Sequence, residues 1–161
     1  MHVSFAPLRY DAIEYLSDGM GIDFRPAAPF TPGQWFCATA RDDHGHIMGV
    51  FASQGLSPFE GSFQAVVSDP RCITRRLLKA IYTALFSQVV RLTALIDPSN
   101  KRAIKNAVAM GFVVEGLCRR GIDGRRDGLV FGMLREDCKF LRPVPVRRRP
   151  QHREMRMPLH G

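Results

Sequence analysis

Three arginines mark the start of the longest predicted helix. Arg71, Arg75 and Arg76 lie in and beside the turn that opens it. The first amides of a helix have no partners within the helix and lie at the positive end of its dipole, so such a turn binds anions. Arginine side chains add charge and paired N–H donors that suit a phosphate. The spacing predicts a phosphate or pyrophosphate site, and the alternative is a solvated basic face of the helix.

Two acidic residues flank the predicted strand that precedes this helix, Glu60 before it and Asp69 after it. An amine must lose a proton before it can act as a nucleophile, and a nearby carboxylate can accept that proton. Glu60 is the first candidate for such a general base. The alternative is an ordinary loop acid that follows Ser57 and Pro58.

The cysteines and histidines do not have the spacing of a metal site. Cys37, Cys72, Cys118 and Cys138 are widely separated, and His44 and His46 have no cysteine pair nearby. We therefore expect no metal. Reduced thiols are favoured over disulfides because the sequence shows no export signal. Cys118 and Cys138 are interpreted as packing residues.

Composition restricts the chain to one soluble globular domain with a basic tail. The 161 residues are 45% apolar and 24% charged, which excludes wholesale disorder. The apolar runs are too short to span a membrane, so we expect a cytoplasmic protein. The net charge is +8, of which the six arginines and one glutamate of residues 142–161 contribute +5. The rest of the chain is only weakly basic and gives little reason to expect nucleic acid.

Hydrophobic periodicity supplies the elements that would position these residues. The predicted elements are a helix over 10–18 ended by Gly19, strands over 35–40, 47–53 and 63–68, a helix with the apolar stripe Ile73, Leu77, Ile81 and Leu85, a strand over 92–96, a helix after Asn100 ended by Gly111, and strands over 113–119 and 129–134. A loop rich in proline precedes the first strand. This order predicts an α/β (α+β) fold in which helices pack on a mixed sheet.

Two segments carry a family resemblance. The run NKRAIKNAVAMGF over 100–112, followed by VVEG, resembles the acyl-CoA-binding motif B of the GNAT N-acetyltransferases. The ending LVFGMLREDCKFL is similar to the finish of the branch near the ribosomal-protein N-terminal acetyltransferases, especially its small phage and prophage members. The resemblance covers about residues 34–141. It implies a GNAT domain over 1–141, with a mostly antiparallel mixed sheet, a splayed central strand and helices on both faces.

The resemblance also implies acetyl-CoA as the acyl donor and assigns residues to it. The pantetheine arm falls to the strand residues Ala65, Val66 and Val67. The phosphates fall to the turn that contains Arg71, Thr74, Arg75, Arg76 and Leu77, and the next helix contributes Asn100 and Ala103. Asn100 would bind the pantetheine arm or a water beside the thioester, so it joins Glu60 as a catalytic candidate. The alternative is that Ser99 or Asn100 merely caps the helix.

The sequence departs from the family pattern at two places. The phosphate turn usually reads Q/R-x-x-G-x-G/A, and here Arg71 fits while Thr74 and Arg76 replace the glycines. Many members have a tyrosine four residues before the Gly-Phe pair to protonate the departing thiolate, and Ala107 occupies that position.

The expected function is transfer of an acetyl group from acetyl-CoA to a primary amine, by direct attack in a ternary complex. The acceptor would be a protein N-terminus, a lysine or a small amine. The alternative is a GNAT-fold protein that has lost catalysis and serves as a binding or structural component, phage-encoded or part of a virion. A homodimer and weak nonspecific contact of the basic tail with polyanions are further expectations.

Overall fold

The computed structural model describes residues 1–5, 10–21 and 35–142. Its elements in chain order are β1 (His2–Phe5), α1 (Tyr10–Met20), β2 (Trp35–Arg41), β3 (Ile47–Gln54), β4 (Glu60–Ser62), β5 (Gln64–Val67), a single 3-10 turn (Pro70–Cys72), α2 (Arg75–Leu85), β6 (Arg91–Ile96), α3 (Lys101–Met110), β7 (Val113–Cys118) and β8 (Gly128–Leu134). The predicted proline-rich loop and the basic tail from residue 143 onward lie outside the described residues.

The described strands form two four-stranded sheets. The first has the strand order β1-β2-β3-β5, and the second has the order β4-β6-β8-β7. Every described pairing is antiparallel except that of β4 with β6. β4 and β5 are separated only by Phe63, so the chain passes from the second sheet to the first at this residue. The expected mixed, mostly antiparallel sheet with a splayed central strand is confirmed.

Helices cover both faces of the first sheet because successive strand residues point to opposite sides. On one side, Ala12 and Leu16 of α1 pack with Cys37 and Val50. On the other side, the larger core joins α2 and α3 to both sheets, with Phe51 at its centre. The fully buried members Phe51, Ile81, Tyr82, Leu92 and Phe131 come from four different elements, β3, α2, β6 and β8. This packing holds both sheets against α2 and α3.

The ends of α2 and α3 follow local chemistry. Thr74 caps α2 by accepting a hydrogen bond from the Leu77 amide at 3.1 Å. Asn100 caps α3 by accepting from the Ala103 amide at 3.0 Å. α3 ends, as predicted, at Gly111, which adopts the left-handed conformation with φ +104°.

Gly111→Ala tests this end of α3. An L residue at φ +104° is strained, so we expect the free energy of unfolding to fall by about 1–2 kcal/mol. Gly55 has no positive φ, and a Cβ there would meet nothing within 4 Å. Gly55→Ala is therefore the matched control and should change stability by less than about 0.5 kcal/mol. Chemical unfolding curves measure both variants, and equal losses would argue against strain at Gly111.

Three sequence-based predictions of local structure were wrong. In addition, β1 was not predicted, because its four residues are too few to show a period. α1 passes through Gly19 and ends at Met20, and Gly21 with φ +63° follows it. The strand predicted over 63–68 is two strands broken at Phe63. Cys118 is exposed, whereas Cys138 is buried as predicted.

All four cysteines are free thiols. Within the described ranges, no helix is long and apolar enough to cross a membrane.

Candidate active site

The cleft begins where the two central strands part. The Phe63 amide donates to the Thr93 carbonyl at 2.8 Å, and this bond continues the parallel pairing of β4 with β6. Beyond it, β5 turns to pair with β3, while β6 stays paired with β8. The facing edges of β5 and β6 therefore diverge, and main-chain groups on both have no strand partner among the described residues. We call the point at Phe63 and Thr93 the apex.

A cavity of about 480 Å³ fills the space between the diverging strands. Its walls come from the end of α1, from β5 and β6, from both ends of α3 and from the β7–β8 loop. The residues that line it are Gly19, Met20, Phe63, Gln64, Ala65, Val66, Val67, Ile73, Ala94, Leu95, Ile96, Asp97, Ser99, Asn100, Arg102, Ala103, Asn106, Ala107, Met110, Phe112, Ile122 and Arg126. We refer to this cavity as the cleft.

The direction of the β5 main chain can be read from its neighbours. Phe63 donates its amide towards β6, and Ser68 donates its amide to the Met48 carbonyl on the β3 side at 3.0 Å. Because main-chain groups alternate along a strand, those of Ala65 and Val67 face the cleft. The Arg102 guanidinium lies 3.4 Å from the Val67 carbonyl, consistent with that direction. β5 therefore offers a row of donors and acceptors to an extended ligand, independent of its side chains.

α1 holds β5 in this position. The Tyr15 hydroxyl accepts a hydrogen bond from the Ser68 amide at 3.1 Å. Near the end of the same helix, Gly19 lies so close to β5 that a Cβ on it would be 2.3 Å from the Val66 Cγ1 atom. The missing side chain at Gly19 thus permits the close packing of α1 on the strand that lines the cleft.

Gly19→Ala should destabilise the fold and displace β5. Alanine favours a helix by about 1 kcal/mol over glycine, but overpacking a rigid contact costs about 1–3 kcal/mol. Valine is stiff at χ1 and cannot turn away, so we expect the clash to outweigh the gain. The free energy of unfolding measured with denaturant should fall by about 1–2 kcal/mol. Glu14→Ala, on the exposed face of α1, should change stability by less than about 0.5 kcal/mol, and a Gly19→Ala protein with wild-type stability would contradict this packing role.

The start of α2 lies at one end of the cleft through Ile73, and only part of it is available to an anion. The Thr74 hydroxyl occupies the Leu77 amide. Among the described residues, the amides of Arg75 and Arg76 have no acceptor. Arg71 donates from Nε to Asp69 at 2.9 Å, and this hydrogen bond is the main cause that lowers the pKa of Asp69. Two main-chain donors therefore remain at the positive end of the helix dipole, where an anion can bind.

The predicted arginines do not line the described walls of the cleft. The Arg71 side chain is 84% exposed and paired with Asp69, and the Arg75 guanidinium lies 5.9 Å from the centre of the Phe140 ring. Two other cations line the cleft, Arg126 in the β7–β8 loop and Arg102 in the first turn of α3. A positive charge at the start of a helix is unfavourable unless an anion compensates it. Arg102 therefore marks a place where a negatively charged ligand would be stabilised.

The β7–β8 loop forms the far wall through an ion-pair network. Arg126 pairs with Asp97 at the end of β6 and donates from Nε to Asp123 at 3.0 Å. The Arg126 amide also donates to Asp123, and these bonds lower the pKa of Asp123 to about 2. Beneath the loop, Leu95 packs so closely on Gly128 that a Cβ on Gly128 would lie 2.7 Å from the Leu95 Cδ1 atom. Asp97 is thus a structural anchor, since its carboxylate also accepts from Ser99.

Glu60 lies beside the apex rather than on the described walls of the cleft. Its carboxylate accepts hydrogen bonds from the Thr93 hydroxyl and from the Arg91 Nε at 3.2 Å. Its side chain is 32% exposed. The Thr93 carbonyl accepts the last hydrogen bond before the strands part. The Glu60 carboxylate is therefore linked to the apex through the Thr93 hydroxyl.

The structure brings together some of the predicted site residues and separates others. Ala65, Val66, Val67, Asn100 and Ala103 line the cleft. Arg71, Thr74, Arg75, Arg76 and Leu77 lie near one end of it but not among the described wall residues. For Asn100, the capping alternative is observed, with Asn100 rather than Ser99 as the cap. The cap uses the side-chain oxygen of Asn100.

Sequence reasoning missed Leu95, Arg102 and Arg126 as wall residues. Arg102 could have been found, because a basic residue in the first turn of a helix is electrostatically unfavourable. Arg126 gave no such signal, since its position depends on how the loop folds over β6.

Comparison with solved structures gives the same architecture. A spermidine N-acetyltransferase SpeG chimera from Vibrio cholerae and hSSAT matches with a TM-score of 0.62 and 14% identity, over 89% of this chain and 100% of that one. A ribosomal-protein-S5-alanine acetyltransferase from Vibrio fischeri matches with a TM-score of 0.58 and 18% identity, over 86% and 96% of the two chains. The protein smu.2055 from Streptococcus mutans matches with a TM-score of 0.62 and 17% identity, over 84% and 99%.

By sequence, no protein-family model and no curated protein matches the chain. The similarity therefore lies in the fold, which extends over nearly the whole of each solved structure. The chain has the fold of the GNAT N-acetyltransferases.

Proposed function

We propose that the chain is an N-acetyltransferase that carries the acetyl group of acetyl-CoA to a primary amine. One observation carries this proposal: the parting of β5 and β6 at Phe63, which opens a 480 Å³ cleft edged by unpaired strand groups. The acceptor would be a protein N-terminus, a lysine or a small amine. The solved neighbours named as acetyltransferases of spermidine and of a ribosomal-protein alanine support this range of acceptors.

The residues of the cleft fit acetyl-CoA. The cleft-facing groups of Ala65 and Val67 would pair with the amides of the pantetheine arm, as a further strand would. The amides of Arg75 and Arg76 together with the Arg102 guanidinium would hold phosphate groups. The apolar walls, which include Phe63, suit the aliphatic part of the arm.

When bound, acetyl-CoA supplies a thioester: the amine nitrogen bonds to its carbonyl carbon as the C–S bond breaks and its electron pair leaves on sulfur. The Val67 amide would donate to the carbonyl oxygen, and the Ala65 amide would remain for the pantetheine arm. The ammonium proton would pass to Glu60 through the Thr93 hydroxyl, which already donates to that carboxylate. Because Ala107 has no acidic group, water would protonate the leaving thiolate.

The second candidate function is a GNAT-fold binding or structural protein without catalysis. Three features favour it: Arg71 is engaged with Asp69, Thr74 occupies a helix amide, and Glu60 lies outside the described cleft walls. Binding of acetyl-CoA without transfer would favour this candidate, and absence of both would favour it further.

A combined binding and transfer experiment tests the proposal. Calorimetry with acetyl-CoA should show one site of micromolar affinity, and mass spectrometry should detect acetylation of spermidine, an alanine-initiated peptide or a lysine-containing peptide. Thiol-reactive dyes are unsuitable because Cys118 is exposed. Arg102→Ala should weaken donor binding about tenfold by loss of a charged contact. No acetylation of any of the three amines would overturn the proposed activity.

A further inference from the structure

A network of charged side chains crosses the second sheet beside the apex. Arg91, the first residue of β6, donates from Nε to Glu60 on β4 at 3.2 Å. Its two terminal nitrogens donate to both carboxylate oxygens of Glu115 on β7, one of them at 3.0 Å. The side chains of Arg91 and Glu60 are 29% and 32% exposed, so the network lies partly beneath the surface.

The bidentate pair spans two strand spacings, because β8 lies between β6 and β7. Two local features of the fold make that reach possible. The strand register shifts between Val114 and Gly116, so Glu115 is the extra residue of a β-bulge in β7. On β8, Gly132 pairs with Val113 and has no side chain, and a Cβ on Gly132 would lie 2.1 Å from Glu115 Oε1. Glu115 therefore passes over β8 through the space that Gly132 leaves.

Charge and geometry show what this arrangement does to Arg91. Two carboxylates face one guanidinium, and the hydrogen bonds that Arg91 donates to Glu115 are the first cause that raises the pKa of Arg91 above its ordinary value. The same bonds lower the pKa of Glu115. Bidentate pairing also fixes the guanidinium plane, which a single contact does not. The Nε–H of Arg91 is thus aimed at Glu60 by a partner that itself touches neither Glu60 nor the described cleft walls.

We propose that Arg91 is a positioning residue, fixed by Glu115, that holds the Glu60 carboxylate beside the Thr93 hydroxyl at the apex. This inference rests on the proposed function, in which Glu60 receives the proton of the acceptor amine. Glu115 acts only through Arg91, and Gly132 acts only by leaving room for Glu115. The bulge in β7 and the glycine in β8 are then parts of the site, although both lie two or more strands from β5.

A double-mutant cycle tests the inference. Glu115→Gln removes the charge that fixes Arg91, and we expect kcat for the best of spermidine, an alanine-initiated peptide and a lysine-containing peptide to fall about tenfold. The affinity for acetyl-CoA should not change. In a Glu60→Gln background, Glu115→Gln should have no further effect on kcat, because the group it positions is already gone. Glu14→Gln, on the exposed face of α1, is the matched control and should be silent in both backgrounds.

Gly132→Ala is a second variant that keeps the side chains of Glu60, Arg91 and Glu115 and displaces Glu115 sterically. It should reproduce the loss in the wild-type background and be silent in the Glu60→Gln background, with thermal unfolding as the check that the fold is retained. Equal losses in both backgrounds would assign Glu115 a merely structural role and overturn the inference while the proposed function stands. No loss in either background would overturn it as well. A wild-type protein that acetylates none of the three amines would remove the proposed function, and the inference with it.

Discussion

Glu60→Gln is expected to lower kcat for acetyl transfer by about 10²–10⁴-fold, the usual contribution of a general base. Glutamine keeps the size of the side chain and can still accept from Thr93 and Arg91, but its amide oxygen cannot take up a proton at neutral pH. Donor binding should be unaffected, because Glu60 is outside the described walls of the cleft. The measurement is single-turnover acetylation at saturating acetyl-CoA, which separates the chemical step from binding and product release.

Asp69→Asn provides the matched control for this prediction. Asp69 is the other acid that flanks the central strand, and it is paired with Arg71. It follows the end of β5 that is farther from the apex. The fold-change in kcat caused by Asp69→Asn should be at least ten times smaller than the one caused by Glu60→Gln. A Glu60→Gln protein with the wild-type rate would show that another group or water takes the proton.

Tyr82→Ala is expected to have the largest effect on stability, about 3–5 kcal/mol, as for other large aromatic truncations in a core. Tyr82 is fully buried, and its ring lies 6.0 Å from Phe63 and 5.6 Å from Phe140, measured between ring centres. Phe63 is the residue at which the strands part, so the cavity left by Tyr82→Ala would also loosen the apex. Chemical unfolding measures the free energy of unfolding. Calorimetry with acetyl-CoA, at denaturant concentrations too low to unfold the variant, should also show a loss of affinity.

Two variants separate the ring from the hydroxyl and from the surface. The Tyr82 hydroxyl donates to the Met110 carbonyl at 3.4 Å, and burial raises the pKa of Tyr82, so the group stays a neutral donor. Tyr82→Phe should therefore cost only about 0.5–1.5 kcal/mol. Tyr10→Ala, at a side chain 90% exposed, should be nearly silent. If Tyr82→Phe cost as much as Tyr82→Ala, the packing of the ring would not be the source of stability.

Much of the fold is predictable from the sequence because its elements carry strong periodic or capping signals. The stripe of Ile73, Leu77, Ile81 and Leu85 predicted α2, although Ile73 lies before the first residue of that helix. Gly111 predicted the end of α3, where only a residue tolerant of positive φ is suitable. The break at Phe63 could not be predicted, because an apolar residue between two short strands looks like part of one strand. Only the competing pairing partners, β6 before Phe63 and β3 after it, divide the segment.

The candidate site was predicted less completely, for a related reason. The family resemblance assigned Ala65 and Val67 to the pantetheine arm, and both residues line the cleft. The roles of Arg71 and Arg75 depend on which neighbour each side chain meets, and the sequence gives no measure of that. Asp69 and Phe140 occupy them in the folded chain. The link from Glu115 to Glu60 likewise joins β4, β6 and β7, which are far apart in the sequence.

The most direct test of the central claim is an amide NMR titration with acetyl-CoA. If the unpaired edge of β5 and the start of α2 bind the donor, the amide resonances of Ala65, Val67, Arg75 and Arg76 should shift together at micromolar to low millimolar acetyl-CoA. The amides of Gln64 and Val66, which face β3, should shift least. No change in these four resonances at millimolar acetyl-CoA, or changes confined to another surface, would contradict a donor site in this cleft.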